Sequence, residues 1–357
     1  MIALPPRSPL HRHRLRRVIA RMARAITIIG ASAVLAAAAP VDDPDFAAIR
    51  AGDLRLAAIG DRLATANVAL CDMRAASFGW QLHTLRQYPP GERAAARRAF
   101  GFATGLAVEG VIAGGAAAAA GVRANDALVA ADGLALDIAL PARSVPADTR
   151  QLVAADRALS AAAGRAVTMT LIREGRRLAV DVTPRAACRT RFELDLSSGF
   201  DAEADGEVVR IKAGFLDSYA DDETAVIVAH ELAHNILRHR ARLDAAGVDR
   251  GLLGDFGPSV KFYRQTELQA DVLGVYLLAN AGYDPVGAAR FWSRFGPAHA
   301  GGMLRARTHP GWRDRVAVMT RVAGEIAGRR ERPIVPAILA WREQPLDGNW
   351  QALQAGR

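Results

Sequence analysis

Two histidines four residues apart, His230 and His234, stand in the stretch VAHELAHNILRH, with Glu231 directly after the first. On a helix that spacing puts both imidazoles on one face, one turn apart. Neutral imidazoles suit Zn2+, which in catalytic sites takes three protein ligands and leaves a fourth position for water. The pKa of such a water falls to about 7. Glu231 is placed to take its proton and pass it to a leaving amine. The H-E-x-x-H spacing is therefore what metal-assisted hydrolysis asks of one helix. The apolar run AVIVA just before it predicts a buried helix, where two imidazoles and a carboxylate would each need a partner.

A third ligand stands downstream in TELQAD, where Glu267 and Asp271 are again four apart. Glu267 completes a His2Glu set for one Zn2+ per chain. Asp271 is positioned to accept the second ring N–H of a ligand histidine. An E-x-x-x-D pair by itself is usually a solvated helix face; its place one helix and one loop after H-E-x-x-H makes it a ligand candidate. His239, one turn past His234, is expected at a solvated helix end. His83 and His299 stand in no motif.

The elements that must position these residues are mainly helical in the second half of the chain, giving an α+β class. Acids suit a helix N-terminus, so the first ligand helix is expected to start near Asp221-Asp222 and run on through TAVIVAHELAHNILRHRARL. A second helix is expected from about Gln265 to Ala281, stopped by Gly282 and Pro285. A third follows from Pro285 to Phe295, and a last one from Trp312 to Arg329. The link Arg240 to Phe262 reads equally as a lid or a surface loop. Before these helices, FELDLSSGFDAEADGEVVRIKAG reads as one or two strands with turns. Near the start, residues 45–87 read as helix, and YPPGE punctuates.

HELAH, then ELQAD, then THPGWRDR resembles the zinc metallopeptidases of the CAAX-prenyl-protease/HtpX-like family, a gluzincin group, in its soluble exported branch. The resemblance covers Asp201 to Arg329. It implies His230, His234 and Glu267 as zinc ligands and Glu231 as the base. It further implies that His309 and Arg315, from the family's H-P-x-x-x-x-R motif, contact the substrate carbonyl or the developing oxyanion. Fixed positive donors there would each be worth several kcal/mol at most. DAEADGEVVRIKAG is similar to the family's substrate-pairing edge-strand segment, with Asp201 where asparagine is common. It puts the edge strand at Val208 to Ile211, with Val208 and Val209 as peptide-binding residues.

The region from Phe100 to Pro184 has short β-prone pieces around a small-residue segment and ends in VTMTLIREGRRLAVDVTP, which alternates around Glu174-Gly175 as a hairpin does. This layout resembles a bacterial PDZ domain. Such domains bind extended peptides by adding a strand to a sheet edge. The resemblance implies a groove for a C-terminal peptide at Gly105, Leu106, Ala107 and Val108, with Ala107 replacing the usual loop glycine. The alternative is an Ala-rich β domain that only packs. Cys71 and Cys188, the two cysteines of the chain, flank this region. A disulfide between them would tie the stems of an inserted domain together; two unpaired thiols are the alternative, and two residues are too few for a cysteine metal site.

Composition narrows the partners. The formal charge is +9, yet seven arginines lie in residues 1–39 with no acids, which leaves +2 for the rest. No basic stripe is interleaved with aromatics, which argues against nucleic-acid binding. The arginine-rich start precedes AITIIGASAVLAAAAP, the layout of a secretory signal with cleavage expected after Ala38, or of an uncleaved anchor; Met22 is an alternative start. The expected organisation is a signal peptide (1–39), an N-terminal helical segment (40–99), a PDZ-like domain (100–185), a zinc metallopeptidase domain (186–330) and a C-terminal tail (331–357) without assigned role. The expected activity is that of an exported, periplasmic zinc endopeptidase acting on extended or misfolded envelope proteins, with peripheral membrane association left open. The competing expectation is a PDZ-type adaptor or chaperone-like protein with a latent zinc site.

Overall fold

The computed structural model of the protein describes residues 44–248, 259–299 and 309–355. The signal-like segment 1–39 and the Met22 alternative lie outside them. Among the described residues no helix is long and apolar enough to cross a membrane.

Asp45 caps the first helix, its carboxylate accepting from the Ala48 amide at 3.0 Å. This helix, α1 (Phe46–Ala66), buries Leu56, Ile59 and Leu63, spaced three and four apart as one apolar face requires. It ends at Asn67, whose side-chain amide donates to the carbonyls of Leu63 and Leu277. The expected helix to residue 87 therefore stops about twenty residues early. The chain instead forms β1 (Arg74–Ser77) and β2 (Trp80–Thr84). Gly79 between them has φ +68°, and a Cβ there would lie 2.7 Å from Gly115 Cα, so a helix cannot pass through.

A first sheet has the strand order β2-β3-β4-β6-β7. After α2 (Arg93–Phe100) come β3 (Leu106–Val111), the short α3 (Ala116–Ala119), β4 (Ala127–Ala131), with β5 (Leu134–Ala135) beside it, and α4 (Arg150–Ser160). β6 (Val167–Arg173) and β7 (Arg176–Val182) form the expected hairpin, with Glu174 and Gly175 both at positive φ, 51° and 76°, as a type I′ turn demands. Leu152 and Leu159 of α4 join Phe78, Leu106, Val108, Leu128, Met169 and Leu171 in a core separate from that of the helices below. β2 belongs to this sheet, so the β region begins near residue 80 and not at 100.

Two positions expected to take an added strand are corrected here. Leu106, Ala107 and Val108 lie in β3, between β2 and β4, and are fully buried. A Cβ on Gly105 would meet the Ala139 carbonyl oxygen at 2.1 Å. Both edges of β3 are already paired, so Gly105 to Val108 cannot receive a peptide strand; the open edge on that side is β2. The second correction concerns the small sheet of β9 (Arg191–Asp195), β10 (Ala202–Ala204) and β11 (Val208–Lys212), whose order is β10-β11-β9. Val208 and Val209 are in its central strand, so β10 is the available edge next to the ligand helices.

β8 (Arg185–Cys188) returns to pair with β1, Arg74 opposite Cys188, and a Cys71–Cys188 disulfide closes the same stem. After the short α5 (Ala213–Ser218) come α6 (Asp221–Ile236), α7 (His239–Ala245), α8 (Val260–Asn280), α9 (Val286–His299) and a helix at Trp312–Ile326. α6 does not run on to Leu243 as expected. Arg238 adopts a left-handed conformation, φ +53°, and restarts the chain as α7. Of Arg240 to Phe262, the span of the lid alternative, residues 249–258 lie outside those described, and the remainder belongs to α7, the turn after it and the start of α8. The C-terminal segment packs back on α8: Asn280 bonds the Ile334 backbone at its amide and carbonyl, and Gln265 bonds Asp347 and the Gly348 amide.

Candidate metal centre

α6 is buried on nearly every side, including His230, Glu231 and Asn235. Small residues let α8 cross it closely: even a Cβ on Gly274 would lie only 3.6 Å from His230 Cα. That approach brings the Glu267 face of α8 against the His230 and His234 face of α6. His230 Nε2 and His234 Nε2 are 3.1 Å apart. The Glu267 carboxylate stands 3.4 Å from the first and 3.5 Å from the second. All three ligand atoms lie within 4.8 Å of one another. Three donors at such spacing, two imidazole nitrogens and a carboxylate oxygen, fit a tetrahedral Zn2+ with one position open.

A second layer orients the first. Asp271, one turn along α8, sits 3.0 Å from His230 Nδ1, so the opposite nitrogen faces Glu267. Arg315 clamps Asp271 with both arms, Nε to Oδ2 at 2.7 Å and an Nη to Oδ1 at 2.6 Å. The guanidinium also lies over the Trp292 ring, 3.6 Å from its centroid. Arg315 is 4% exposed and faces Asp271, His230 and Glu267. This corrects the expectation that it reaches a substrate: its Nε and one Nη bond Asp271, its other Nη points to Glu267 at 3.8 Å, and it holds the site from behind. His309 is more open, with Nε2 3.7 Å from the Glu267 carboxylate.

The electrostatics favour a cation. Three buried carboxylates, Glu231, Glu267 and Asp271, stand against the one Arg315 guanidinium. Burial pushes the Glu231 carboxyl up to about 7. The two imidazoles move in opposite directions. Burial opposes charge on both. His234 falls to about 3, while hydrogen bonds from His230 to Asp271 and Glu267 outweigh burial and carry His230 up to about 9. Rings 3.1 Å apart cannot both be charged, so the pair accommodates a single positive charge on the side where the carboxylates gather. A metal dication answers the same field.

Sequence reasoning missed three features. His239 is not at a solvated helix end; it is 1% exposed and 2.9 Å from His234 Nδ1. The left-handed turn at Arg238 sends it there, and no period count reveals a left-handed non-glycine residue. Asn235, directly after His234, accepts from the Gly206 amide at 2.7 Å and donates to the Val208 carbonyl at 3.3 Å. It thereby fixes the β10–β11 hairpin beside the ligand helix. Trp292 gives no signal, since an aromatic beside Phe291 and Phe295 on an amphipathic helix reads as core. His83, without a motif, is buried near Glu109 and packs on Phe100 and Phe102. His299 stacks on Phe295.

Comparison with known proteins falls on this site. Residues 255–323 match the family described as Peptidase family M48. Mitochondrial metalloendopeptidase OMA1 of Schizosaccharomyces pombe is 29% identical over 132 residues, covering 31% of this chain and 39% of that protein's length. Among solved structures, an HtrA-type protease, AlgW with decapeptide, aligns over 32% of this chain and 30% of its own at 16% identity, with a TM-score of 0.23, too low to carry an argument. The matched family segment contains Glu267, Asp271, His309 and Arg315, while His230 and His234 lie before it; the M48 likeness and the H-E-x-x-H-type geometry meet at Glu267.

Proposed function

We propose that the protein is a zinc-dependent endopeptidase that cleaves extended or misfolded polypeptides in an oxidising, extracytoplasmic compartment. The observation that carries the activity is the convergence of His230 Nε2, His234 Nε2 and the Glu267 carboxylate beside the buried Glu231. Zinc held by these three residues supplies a Lewis acid and a water of lowered pKa. Glu231 takes a proton from the attacking water and delivers it to the departing amine. Asp271 holds His230 in the tautomer that aims Nε2 at the site, and Arg315 holds Asp271. His309, at the open side of Glu267, is the side chain placed to meet a substrate carbonyl.

Substrate is laid along β10. The Lys212 amide bonds the Asp201 carbonyl at 3.0 Å, and the Asp205 amide bonds the Val208 carbonyl at 3.2 Å. Inward-facing residues of β10 are thus 201, 203 and 205, which turns the backbone groups of Ala202 and Ala204 outward. An extended chain pairs there without sequence preference, which suits unfolded substrates. The PDZ-like reading moves from β3 to the open edge of β2. A cavity of about 780 Å3 is lined by β2 residues Trp80 to His83 and α4 residues Leu152, Asp156 and Ser160, and extends along α1, β8 and β9; its β2 side is the proposed place for a peptide tail. The disulfide and the signal-like start support export.

The test is direct. Purified protein should contain one zinc per chain and degrade casein, and a chelator should abolish both the metal and the cleavage. Full-length protein that binds zinc but leaves casein intact would favour the adaptor reading, for which the cavity beside β2 is the supporting feature.

A further inference from the structure

His234 meets an unusual partner. Ligand imidazoles commonly donate their second N–H to a carboxylate or a carbonyl, as His230 does to Asp271. His234 instead directs Nδ1 at another imidazole, His239 Nδ1, 2.9 Å away, with the rings nearly perpendicular and their centroids 4.7 Å apart. Two neutral rings can share such a bond only if one nitrogen carries hydrogen and the other does not. What lies beyond His239 settles which. Its Nε2 stands 3.0 Å from Gln269 Oε1, and the same oxygen accepts from an Arg242 Nη at 2.9 Å. A guanidinium only donates, so the Gln269 atom facing it must be the oxygen. Gln269 pays for that orientation with an amide nitrogen that has no partner among the described residues. His239 Nε2 must then be the N–H. Its Nδ1 is left as the acceptor, His234 Nδ1 becomes the donor, and the lone pair of His234 falls on Nε2, the atom that faces His230 and Glu267.

The chain is folded specifically to make this contact. Five residues along a straight helix is about 140° around it, so His239 could not reach His234 on an unbroken α6. The left-handed Arg238 breaks the helix at the needed place, in a conformation that residues with a Cβ seldom adopt. Ion pairs from Arg238 to Asp72 and Glu343 hold it there.

We infer that Arg242, Gln269 and His239 form a donor–acceptor relay that fixes the tautomer of His234, making His239 a positioning residue for the metal centre. The inference rests on the reading of His234 as a zinc ligand. It assigns a task to a buried histidine five residues beyond the motif and to two side chains that touch no ligand directly.

The experiment reads the tautomer and the metal separately. In zinc-free wild type at pH 8, long-range 1H–15N correlation of the histidine rings should show His234 and His239 as opposite tautomers, hydrogen on His234 Nδ1 and on His239 Nε2. Hydrogen on His234 Nε2 would overturn the relay with no mutation made. Zinc affinity, by competition with a chromophoric chelator, should fall about 10–100-fold in His239→Phe, which keeps a ring but no acceptor. His239→Asn, whose side-chain oxygen replaces the Nδ1 acceptor, should recover most of that loss. A purely structural role predicts equal losses in the two variants, or losses that track their thermal stability, and either result would overturn the inference. Failure of wild type to bind zinc would instead sink the proposed function and leave the wild-type tautomer result standing.

Discussion

Asp271 lies 3.0 Å from Nδ1 of His230 and is buried to 1% exposure, so this pair joins the two ligand helices through one hydrogen bond. Arg315 is the only guanidinium bonded to that carboxylate among the described residues. Removing Arg315 breaks a buried ion pair and leaves Asp271 with His230 as its only cationic partner among the described residues, and breaking such a pair typically costs about 3–5 kcal/mol. Arg315→Met should therefore lower the unfolding free energy by about that amount, read by chemical denaturation of the zinc-free protein. Asp271→Asn, which keeps an acceptor oxygen for His230, should weaken zinc binding by about 10–100-fold, read by chelator competition.

The edge role of β10 has its own test. Ala204→Pro removes an outward amide and leaves the inward bonds of β10 to β11 in place. One backbone hydrogen bond is worth about 1 kcal/mol, so kcat/KM on an extended peptide should fall about fivefold at unchanged zinc content. Val208→Pro, in the central strand, should instead cost stability.

A buried acidic pair between α1 and β3 sets a pH dependence. Burial, reinforced by the neighbouring Asp53 charge, raises Glu109 from 4.5 to about 8, and burial raises Asp53 from 3.8 to about 7. His83, 4.0 Å from Glu109, stays neutral because burial pulls it down to about 3; Arg50 and Tyr88 complete the surroundings. The folded state thus holds protons that the unfolded chain has already lost. The stability this acidic pair contributes is fully present below about pH 4 and declines as pH rises toward 8, while His83, held neutral in the fold, contributes in the opposite sense between about pH 3 and 6.5. Glu109→Gln should flatten this decline, measured as urea midpoints at pH 5 and pH 8 for both proteins. An unchanged slope would show that Glu109 ionises normally.

The Cys71–Cys188 bond closes a loop of 117 residues in sequence separation. Chain entropy assigns such a crosslink about 4–5 kcal/mol, and measured values for native disulfides run about 2–5. Reduction, or Cys188→Ala, should lower the denaturation midpoint accordingly, with β1 and β8 the first strands to exchange their amides.

Much of the site was legible because its chemistry is periodic. His230 to His234 and Glu267 to Asp271 are both one turn apart, and a helical period converts each into a shared face. The β6–β7 hairpin was legible for the same reason, its alternation breaking at a residue pair that tolerates positive φ. What the sequence concealed depends on non-local pairing or on one unusual dihedral. Strand edges cannot be told from strand centres by composition: Gly105 to Val108 and Val208 to Val209 are both β-prone, and only sheet order shows them to be interior. The segment after Asn67 reads as helix because Val68 and Leu70 continue the apolar spacing of Leu56, Ile59 and Leu63, yet its placement is decided by Gly79 against Gly115. The H-P-x-x-x-x-R spacing implies a substrate contact for Arg315, and only the fold brings Asp271 and Trp292 around its guanidinium.

The central claim is that His230, His234 and Glu267 hold one zinc ion while Glu231 moves the proton. Bound zinc and casein hydrolysis measured together on Glu231→Gln test it most directly. The account predicts near wild-type zinc content with hydrolysis reduced by at least about 100-fold, the lower range for a general base. Wild-type hydrolysis in that zinc-loaded variant would contradict it.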